Sequence, residues 1–225
     1  MLDQKMGGVK ITNKLPGEMI AQAAEVYYGE FRQKYNGLLL IPRSEEQALR
    51  ILRQSMDLSK GFFALDNQGN LLGLVGLGYR DGGFVKYKWD LLLKEFGFFG
   101  AVMRKVIKFF EAPGLKKDHM RIEGIVVTER AQGKGIGTAL LNEVFEQAKQ
   151  EGFKSIHLEV INTNPRARSL YHRLGFKDTG RVFYGPLTLK AGFTWIWRME
   201  KSLEHQPQKK PCLRHSLGSV SRRAG

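Results

Sequence analysis

Three glycines fall within five positions of the segment RAQGKGIGTALL, and an apolar pattern of helical spacing begins among them. That pattern consists of Ile136, Leu140, Leu141, Val144, Phe145 and Ala148. It predicts an amphipathic helix over IGTALLNEVFEQAKQ, because apolar residues three and four positions apart share one helix face. The flanking segments MRIEGIVV and SIHLEVI are apolar and β-branched, which favours strands. The glycines therefore lie in a strand-loop-helix-strand unit, which predicts an α/β protein.

A helix that begins on glycines offers an anion-binding site. The N–H groups of its first turn have no partner within the helix, and the helix dipole places about half a positive charge there. Because glycine has no side chain, an anion can approach these donors closely. We predict that a phosphate or pyrophosphate binds the backbone of Gln132, Gly133, Lys134, Gly135, Ile136, Gly137 and Thr138. The alternative, a tight turn without a ligand, needs fewer than three glycines.

Two common nucleotide-binding loops fit this segment poorly. A P-loop needs Ser or Thr directly after its Gly-Lys pair, but Lys134 is followed by Gly135. A dinucleotide-binding loop needs a third glycine where Thr138 stands. Such a loop also has to follow its strand directly, which this segment does not do. Glu159 in the next strand could imitate the ribose-binding acid of that fold, so a dinucleotide site stays open as the rival.

The rest of the chain reads as alternating helices and strands. We expect a short strand in VKITN, a helix over 16–35 and a second helix in SEEQALRILRQSM, where Ser44 and Gln47 form a capping-box pattern. GFFAL and LLGLVGLGY flank DNQGN, whose composition predicts a hairpin turn. A helix in PRARSLYHRL and closing strands in GFKDTGRVFYG and GFTWIWRME complete the prediction.

Residues 84–117 carry eight aromatic side chains among several lysines. We predict helices joined near Gly97 or Gly100. Capping of the core is the favoured role, because phenylalanines at helical spacing are usually buried. Lining a tunnel for a substrate and lying on a membrane surface are the alternatives.

Composition limits the classes of protein to which this chain can belong. The 225 residues are 42% hydrophobic, which supports a sizeable core. No apolar run reaches the roughly 18 residues of a membrane span, and the N-terminus lacks the apolar core of a secretion signal. The single cysteine, Cys212, excludes an internal disulfide and a cysteine metal cluster. We therefore expect a cytoplasmic protein.

The net charge of +14 is uneven, because the last 25 residues hold six Lys or Arg and one acidic residue. We predict one domain over 1–200 and a basic, disordered tail over 201–225. A nucleic-acid-binding arm is the less favoured alternative for the tail. His119, His157 and His172 show no ligand spacing, so we predict no metal site.

Two blocks resemble one known family. VVTERAQGKGIGTALL is similar to motif A of the GCN5-related N-acetyltransferases (GNAT), whose pattern R/Q-x-x-G-x-G/A is met by Gln132, Gly135 and Gly137. Arg130, Gly133 and Gly135 meet it one register earlier. LEVINTNPRARSLYHRLGF is similar to motif B, through Asn164, Ala167, Leu170, Tyr171, Gly175 and Phe176. The two blocks span about residues 120–185.

The resemblance implies a fold and a cofactor. The fold would be a mixed, mostly antiparallel sheet of about seven strands flanked by helices, with parallel, splayed fourth and fifth strands and residues 84–117 inserted before the fourth. Acetyl-coenzyme A would place its pyrophosphate on the glycine loop and its pantetheine arm along Ile125, Val126 and Val127. Asn164 would bind that arm from the other side. Asn164 also fits a helix N-cap before Pro165, and both roles can hold.

The resemblance also places Tyr171 near the thioester sulfur. A tyrosine with a pKa near 10 can donate a proton as a thiol with a pKa of about 8.5 departs, so we expect a general acid. The alternative is a core aromatic, since Tyr171 shares a helix face with Ala167, Leu170 and Leu174.

An acceptor amine also needs a base if it is an alkyl ammonium, because its deprotonation at pH 7 costs about 4.6 kcal/mol. Glu159 and Glu123 are the candidates. Glu159 lies twelve residues before Tyr171 in a context similar to the ribosomal-protein N-terminal acetylases. Glu123 alternates with Ile125 and Val127, so we expect a shared strand face and a water relay. Strand carboxylates satisfied by local hydrogen bonds are the alternative.

We therefore expect an N-acetyltransferase in which a small-molecule primary amine attacks acetyl-coenzyme A directly in a ternary complex. A protein N-terminal or lysine acetyltransferase is the alternative enzyme. A non-catalytic acyl-coenzyme A sensor, or an RNA- or ribosome-associated module, is the alternative of another class. Nucleic acid is a less favoured partner, and the sequence leaves a homodimer open.

Overall fold

The computed structural model describes residues 5, 6, 8–111 and 115–203. The described strands are β1 (Lys5–Met6), β2 (Val9–Thr12), β3 (Gly61–Leu65), β4 (Leu71–Tyr79), β5 (Gly82–Gly83), β6 (His119–Val127), β7 (Ser155–Ile161), β8 (Lys177–Phe183) and β9 (Trp195–Ser202). They form one sheet in the order β1-β2-β3-β4-β6-β7-β9-β8, with β5 paired to β4.

The helices lie between these strands. They are α1 (Ile20–Lys34), α2 (Glu45–Ser55), α3 (Trp89–Glu111), α4 (Ile136–Gln150) and α5 (Pro165–Arg173). The segments β3, β4, β7 and α4 have the bounds that the sequence predicts. Among the described residues, no helix combines the length and the apolar character that crossing a membrane requires.

The predicted fold is confirmed. The sheet is mixed and mostly antiparallel, and β6 and β7 are its parallel pair. Seven strands were expected, and the described part has two more because β1 and β5 are two-residue strands. The predicted domain boundary at residue 200 falls inside β9, which continues to Ser202. Residues 204–225, which contain most of the predicted tail, lie outside the described residues.

Two apolar clusters cover the two faces of the sheet. On one face, α4 and α5 bury their apolar stripes against β4, β6 and β7, and all six apolar positions of the predicted α4 pattern are buried there. On the other face, α1, α2 and α3 pack against β3 and β4. Each helix thus buries its apolar residues against the sheet.

A β-bulge in β6 changes which side chains face each layer. Gly124 lies opposite Gly76 and Ile122 lies opposite Leu77, so Glu123 is an extra residue with no partner on β4. Ile122 packs in the cluster with α4, whereas a Cβ on Gly124 would meet Tyr27 and Phe31 of α1. The strand therefore turns its face at Glu123.

The parallel strands separate after a short paired stretch. Their register pairs are His119 with Ser155, Met120 with Ile156 and Arg121 with His157. Beyond these pairs β6 continues to bond β4, and β7 continues to bond β9. The two strands therefore diverge toward their carboxyl ends and leave a gap in the sheet.

The insertion forms α3, which bends at Gly97, where φ is +69°. The Glu95 carboxylate accepts hydrogen bonds from Gln47 and Arg50 of α2, and Arg104 donates to the carbonyls of Leu40 and Ile41. These contacts fix α3 on the α1 and α2 layer.

The capping role expected of the insertion is only partly right. Phe84, Tyr87 and Leu92 are buried, whereas Phe98 and Phe99 are 63% and 88% exposed. The exposed pair follows the bend at Gly97, whereas Ala101, further along the same helix, is fully buried. The side chains of Phe109 and Phe110 lie outside the described part.

Candidate functional site

The glycine loop has the backbone that its sequence requires. Gly133 and Gly135 have φ values of +76° and +80°, a left-handed region that favours glycine. A Cβ at either position would meet nothing within 4 Å, so the space in front of the loop is open. Gly135 is the N-cap of α4, and no side chain caps this helix start. The loop therefore exposes its backbone to a ligand.

The amides of this loop carry no acceptor within the described chain. The Gln132 amide donates a hydrogen bond to the Glu129 carbonyl. The next amide with a recorded acceptor is that of Ala139, which donates to the Gly135 carbonyl. From Gly133 to Thr138, no backbone or side-chain acceptor is recorded within the described residues. Unpaired donors at a helix N-terminus attract anions. The sequence-predicted anion site is thus geometrically available.

A cavity of about 410 Å³ passes through the gap between β6 and β7. On the side of α4 and α5 its lining includes Gln132, Gly137, Asn164, Ala167 and Tyr171. On the side of α1 its lining includes Glu30, Phe31, Lys34, Ala191 and Phe193. The divergence of the parallel pair therefore joins the loop on one face of the sheet with α1 on the other.

Ile125, Val126 and Val127 line this cavity along the edge of β6. Their register partners, Val75, Leu74 and Gly73, lie on β4, so the opposite edge faces the gap. Asn164 lies across the gap, and its Oδ1 accepts a hydrogen bond from the Ala167 amide at 3.0 Å. Asn164 is thus both the N-cap of α5 and part of the cavity lining, so its two predicted positions coincide.

Tyr171 lies in the cavity lining and is 7% exposed. Burial, with a smaller contribution from the Glu30 carboxylate, raises the pKa of Tyr171 to about 12. The phenol is therefore protonated at neutral pH and can donate a hydrogen bond. Its ring also packs against Phe176, so Tyr171 is a core aromatic as well as a cavity residue.

Glu30 on α1 is a cavity residue that the sequence did not reveal. Desolvation raises the pKa of its carboxyl group, although Glu30 is an exposed residue of the cavity lining. It interacts electrostatically with Tyr171 through the gap. The helical pattern of residues 16–35 marks the apolar face of α1 but carries no signal for which polar residue meets the gap.

The two predicted base candidates are both paired with arginines. The Glu159 Oε1 accepts a hydrogen bond from Arg198 Nε at 3.2 Å, and the Glu123 Oε1 accepts one from Arg121 Nη2 at 3.3 Å. The Glu123 Oε2 also accepts from the Val85 amide. Both carboxylates line the cavity, but each is already held by local donors.

The expected shared face of Glu123 with Ile125 and Val127 is wrong. The bulge places Glu123 with Gly124 on the α1 side, whereas Ile125 and Val127 pack against the cluster that contains α4. A regular strand would alternate strictly, and the extra residue breaks that alternation. A water relay along one strand face therefore has no geometric basis.

A second cavity of about 250 Å³ adjoins the first and shares Arg121 and Glu123 with it. It lies between α3 and the β4–β5 hairpin, and its basic lining residues are Arg80, Lys86, Arg104, Lys105 and Arg121. Lys105 donates to the Tyr87 carbonyl, which fixes part of this lining. The insertion thus contributes to a cavity next to the candidate site.

Two of the three histidines come together, although their sequence spacing shows no ligand pattern. His119 and His157 lie on the paired ends of β6 and β7 with their rings stacked 4.6 Å apart. Burial, reinforced by nearby His119, lowers the pKa of His157 against the opposing effect of Glu200, so this imidazole is neutral at pH 7. His172 lies elsewhere, beside Asp178.

Comparison with known proteins adds sequence relatives to this geometry. Human N-acetyltransferase 8B is 32% identical over 72 residues, which cover 32% of this chain and 32% of that protein. Thialysine N-epsilon-acetyltransferase of Bos taurus is 33% identical over 70 residues, which cover 31% of this chain and 41% of that protein. The chain thus spans less than half the length of these curated relatives.

A solved structure, a GCN5-related N-acetyltransferase from Kribbella flavida, matches 87% of this chain and 98% of its own with a TM-score of 0.54 and 20% identity. At that identity the likeness concerns the fold. A family model described as "Acetyltransferase (GNAT) family" matches residues 24–176, which is more than half of the chain. On that match, and with the motif residues around one continuous cavity, the chain belongs to the GNAT acetyltransferase family.

Proposed function

We propose that this protein transfers an acetyl group from acetyl-coenzyme A to the primary amine of a small molecule, by direct attack in a ternary complex. The observation that carries the proposal is the cavity through the sheet, which joins the glycine loop to α1. A thioester and an amine entering from opposite faces would meet in the gap. Holding the two reactants together lowers the barrier without a covalent enzyme intermediate.

The cofactor would bind on the side of α4 and α5. The unpaired amides from Gly133 to Thr138 suit the pyrophosphate, because charge-assisted hydrogen bonds at a helix N-terminus favour anions. The edge formed by Ile125, Val126 and Val127 suits the amides of the pantetheine arm, with Asn164 across the gap. This arrangement would direct the thioester toward Tyr171.

The amine nitrogen would attack the thioester carbonyl carbon, and the carbon–sulfur bond would break to leave a thiolate. The pKa of about 12 for Tyr171 lies about 3.5 units above that of a thiol near 8.5, so full proton transfer is uphill by about 4.8 kcal/mol. Tyr171 would therefore stabilise the departing sulfur by donating a hydrogen bond. The general-acid role expected from the sequence becomes hydrogen-bond donation.

The proton lost by the amine needs an acceptor on the α1 side. Glu30 suits this role better than Glu123 or Glu159, because desolvation raises its pKa while the other two carboxylates are paired with arginines. A carboxylate beside the incoming ammonium would also attract it. We therefore assign the base to Glu30 and local positioning to Glu123 and Glu159.

Two observations favour a small acceptor over a protein segment. The acceptor side is bordered by the tight packing of residues 35–39 on 185–191, where a Cβ on Gly37 would lie 2.5 Å from the Ala191 amide nitrogen. This packing narrows the cavity beside Ala191 and Phe193, although the cavity as a whole stays partly open to solvent. The bovine relative is named for a small amine, thialysine.

Release of free thiol from acetyl-coenzyme A tests the proposal, with free amines, lysine analogues, polyamines, aminoglycosides and peptides as acceptors. Tyr171→Phe should lower kcat about 100-fold and leave the affinity for acetyl-coenzyme A within about twofold. Tyr184→Phe, outside the cavity lining, is the matched control and should keep full activity.

The alternatives give different results in the same assay. Faster turnover of peptides than of every small amine would indicate a protein acetyltransferase and overturn the small-molecule assignment. Binding of acetyl-coenzyme A without turnover of any acceptor would indicate a sensor. If the Tyr171→Phe variant keeps the wild-type kcat, the assigned role of Tyr171 is wrong.

A further inference from the structure

We propose that His119, His157 and Glu200 form a binding site for a divalent transition metal such as Zn²⁺. The three residues lie on β6, β7 and β9, and one ligand atom of each lies within 4.8 Å of the others. Two imidazoles and one carboxylate are a ligand set that zinc accepts, with a fourth position open to solvent. The site is separate from the acetyl-transfer cavity, because none of the three residues lines either cavity described above.

The sheet register brings the ligands together. His157 lies directly opposite Glu200 on the antiparallel pair β7–β9, so both side chains project from the same face. His119 lies diagonal to His157 on the parallel pair β6–β7, where the two strands are still bonded. All three positions are therefore fixed by backbone pairing, which preorganises the ligand set.

The distances between the ligand atoms are close to those of a tetrahedral site. The Nδ1 of His119 lies 2.6 Å from the Nε2 of His157, which lies 3.8 Å from the Glu200 Oε1. Metal-ligand bonds of about 2.0–2.2 Å in a tetrahedron separate the ligand atoms by about 3.3–3.6 Å. Side-chain movements of less than about 1 Å would therefore convert the contact between the two imidazoles into metal coordination.

A carboxylate orients one of the imidazoles. The Nε2 of His119 lies 3.6 Å from the Asp118 Oδ1, on the side of the ring away from His157. A carboxylate at this position favours a hydrogen on Nε2 and leaves the Nδ1 lone pair directed at the site, as in carboxylate–histidine–zinc arrangements. Asp118 is therefore assigned as the residue that positions His119.

Two of the nearby cations are already paired, and Lys116 is a third positive charge that acts on His157. Arg121 bonds Glu123, and the Lys154 Nζ lies 3.4 Å from the Asp118 Oδ2. The side chains of His119, His157 and Glu200 are 18%, 27% and 34% exposed, so an ion can enter without local unfolding. A metal here would join three strands at the paired base of the gap, and its role would be structural.

Titration of the full-length, chelator-treated protein with Co²⁺ or Zn²⁺ tests this site. We expect one ion per chain, d–d absorption of tetrahedral Co²⁺ and a rise in Tm with Zn²⁺. His119→Gln and His157→Gln should each weaken binding about 100-fold or more, and Asp118→Asn about tenfold. Glu200→Gln tests the third ligand should a histidine variant fail to fold.

Two control variants separate this site from other histidines. His172→Gln removes a histidine that lies beside Asp178 instead. The double variant His205→Gln/His215→Gln removes the two histidines that lie outside the described residues. Both should bind metal as the wild type does. Absence of a 1:1 complex at micromolar metal, or equal binding by His157→Gln and the wild type, would overturn the proposal.

Discussion

At the residue scale, Glu30 and Tyr171 influence each other across the gap in the sheet. Desolvation raises the pKa of both groups, and the Glu30 charge adds to the shift of Tyr171. The family motifs could predict Tyr171, because motif B surrounds it. They could not predict Glu30, because α1 lies outside both motifs and its spacing identifies only an apolar face. A site residue supplied by a distant helix is thus found only once the elements are assembled.

Replacing Glu30 by Gln should move activity and stability in opposite directions. Because the folded state raises the pKa of Glu30, ionisation destabilises the fold as pH rises through that pKa. The variant should therefore unfold at a higher temperature than the wild type near pH 7, and the difference should vanish below the ordinary glutamate range. Its kcat/KM should fall about 100-fold, because the proposed base is lost.

Thermal unfolding from pH 3 to 8 and thiol-release kinetics measure these two effects. Glu25→Gln on the same helix is the matched control, because Glu25 pairs with Arg53 and is absent from the cavity lining. Equal kcat/KM for Glu30→Gln and Glu25→Gln would contradict the assignment of the base.

The glycine loop allows a comparison of two substitutions with equal backbone strain. Gly135 and Gly152 have φ values of +80° and +77°, and a Cβ at either would meet nothing within 4 Å. Alanine at each position should therefore destabilise the fold by a similar amount, about 1–2 kcal/mol. Only Gly135→Ala places a methyl group in front of the proposed pyrophosphate site.

Calorimetric titration with acetyl-coenzyme A distinguishes the two variants. We expect Gly135→Ala to weaken binding at least about tenfold, and Gly152→Ala to bind as the wild type does. If both variants lost the same amount of affinity for acetyl-coenzyme A, backbone strain and not access to the loop amides would explain the loss.

At the element scale, the apolar periodicity of the sequence predicted the strands and helices. It did not predict which side chains meet within them. The β3–β4 hairpin and α4 were predicted because their apolar patterns end at turn residues and glycines. The bulge in β6 was not predicted, because MRIEGIVV looks like a regular alternation whether or not Glu123 is an extra residue. The meeting of His119 and His157 was also hidden, because it depends on the register of the parallel pair.

The contact between α2 and α3 should control how firmly the insertion is held. Glu95 accepts hydrogen bonds from Gln47 and Arg50, and the Arg50 guanidinium holds the pKa of this carboxyl below its ordinary value. A depressed pKa contributes stability above the ordinary pKa that is lost as pH falls through the lowered value. Glu95→Ala should therefore cost about 1.5–3 kcal/mol at pH 7 and less in acid.

Hydrogen exchange over residues 89–111, together with urea unfolding at pH 7 and pH 3, checks this prediction. Asp90→Ala, in the first turn of α3, provides the control, because no ion pair of Asp90 is recorded within the described residues. An equal loss of protection in both variants would rule out a specific anchor.

A buried and an exposed phenylalanine of the aromatic segment should respond differently to substitution. Phe84 is fully buried, so Phe84→Ala should cost about 3–5 kcal/mol. Phe99 is 88% exposed, so Phe99→Ser should change the free energy of unfolding by less than about 0.5 kcal/mol. Urea unfolding measures both, and a large effect at Phe99 would show that another surface covers it in solution.

At the scale of the whole molecule, the gap in the sheet lies where β6 and β7 stop pairing after three residue pairs, while β6 stays bonded to β4 and β7 to β9. The family resemblance predicted this splayed pair of strands. It also predicted that the glycine loop and the edge of β6 lie beside the gap. The packing of residues 35–39 on 185–191 beside the acceptor side was not predictable, because neither segment has a regular period.

Ligand binding across this gap should stabilise the entire domain. Acetyl-coenzyme A at 100 times its Kd should add about 2.7 kcal/mol, which raises the Tm by roughly 5–10 °C for a chain of this size. Acetylated pantetheine, which lacks the pyrophosphate, should give a much smaller shift at the same concentration. Equal shifts in differential scanning fluorimetry would exclude the glycine loop as the pyrophosphate site.

The bulge at Glu123 makes this strand tolerant of a change in length. Because Ile122 and Gly124 are already opposite consecutive residues of β4, deleting Glu123 would leave an uninterrupted ladder with every other side chain on its present face. Most single deletions inside a strand would exchange core and solvent positions for all residues beyond them. At this position we expect a deletion to keep the strand register and to remove the carboxylate between the two cavities, together with its hydrogen bonds from Arg121 and the Val85 amide.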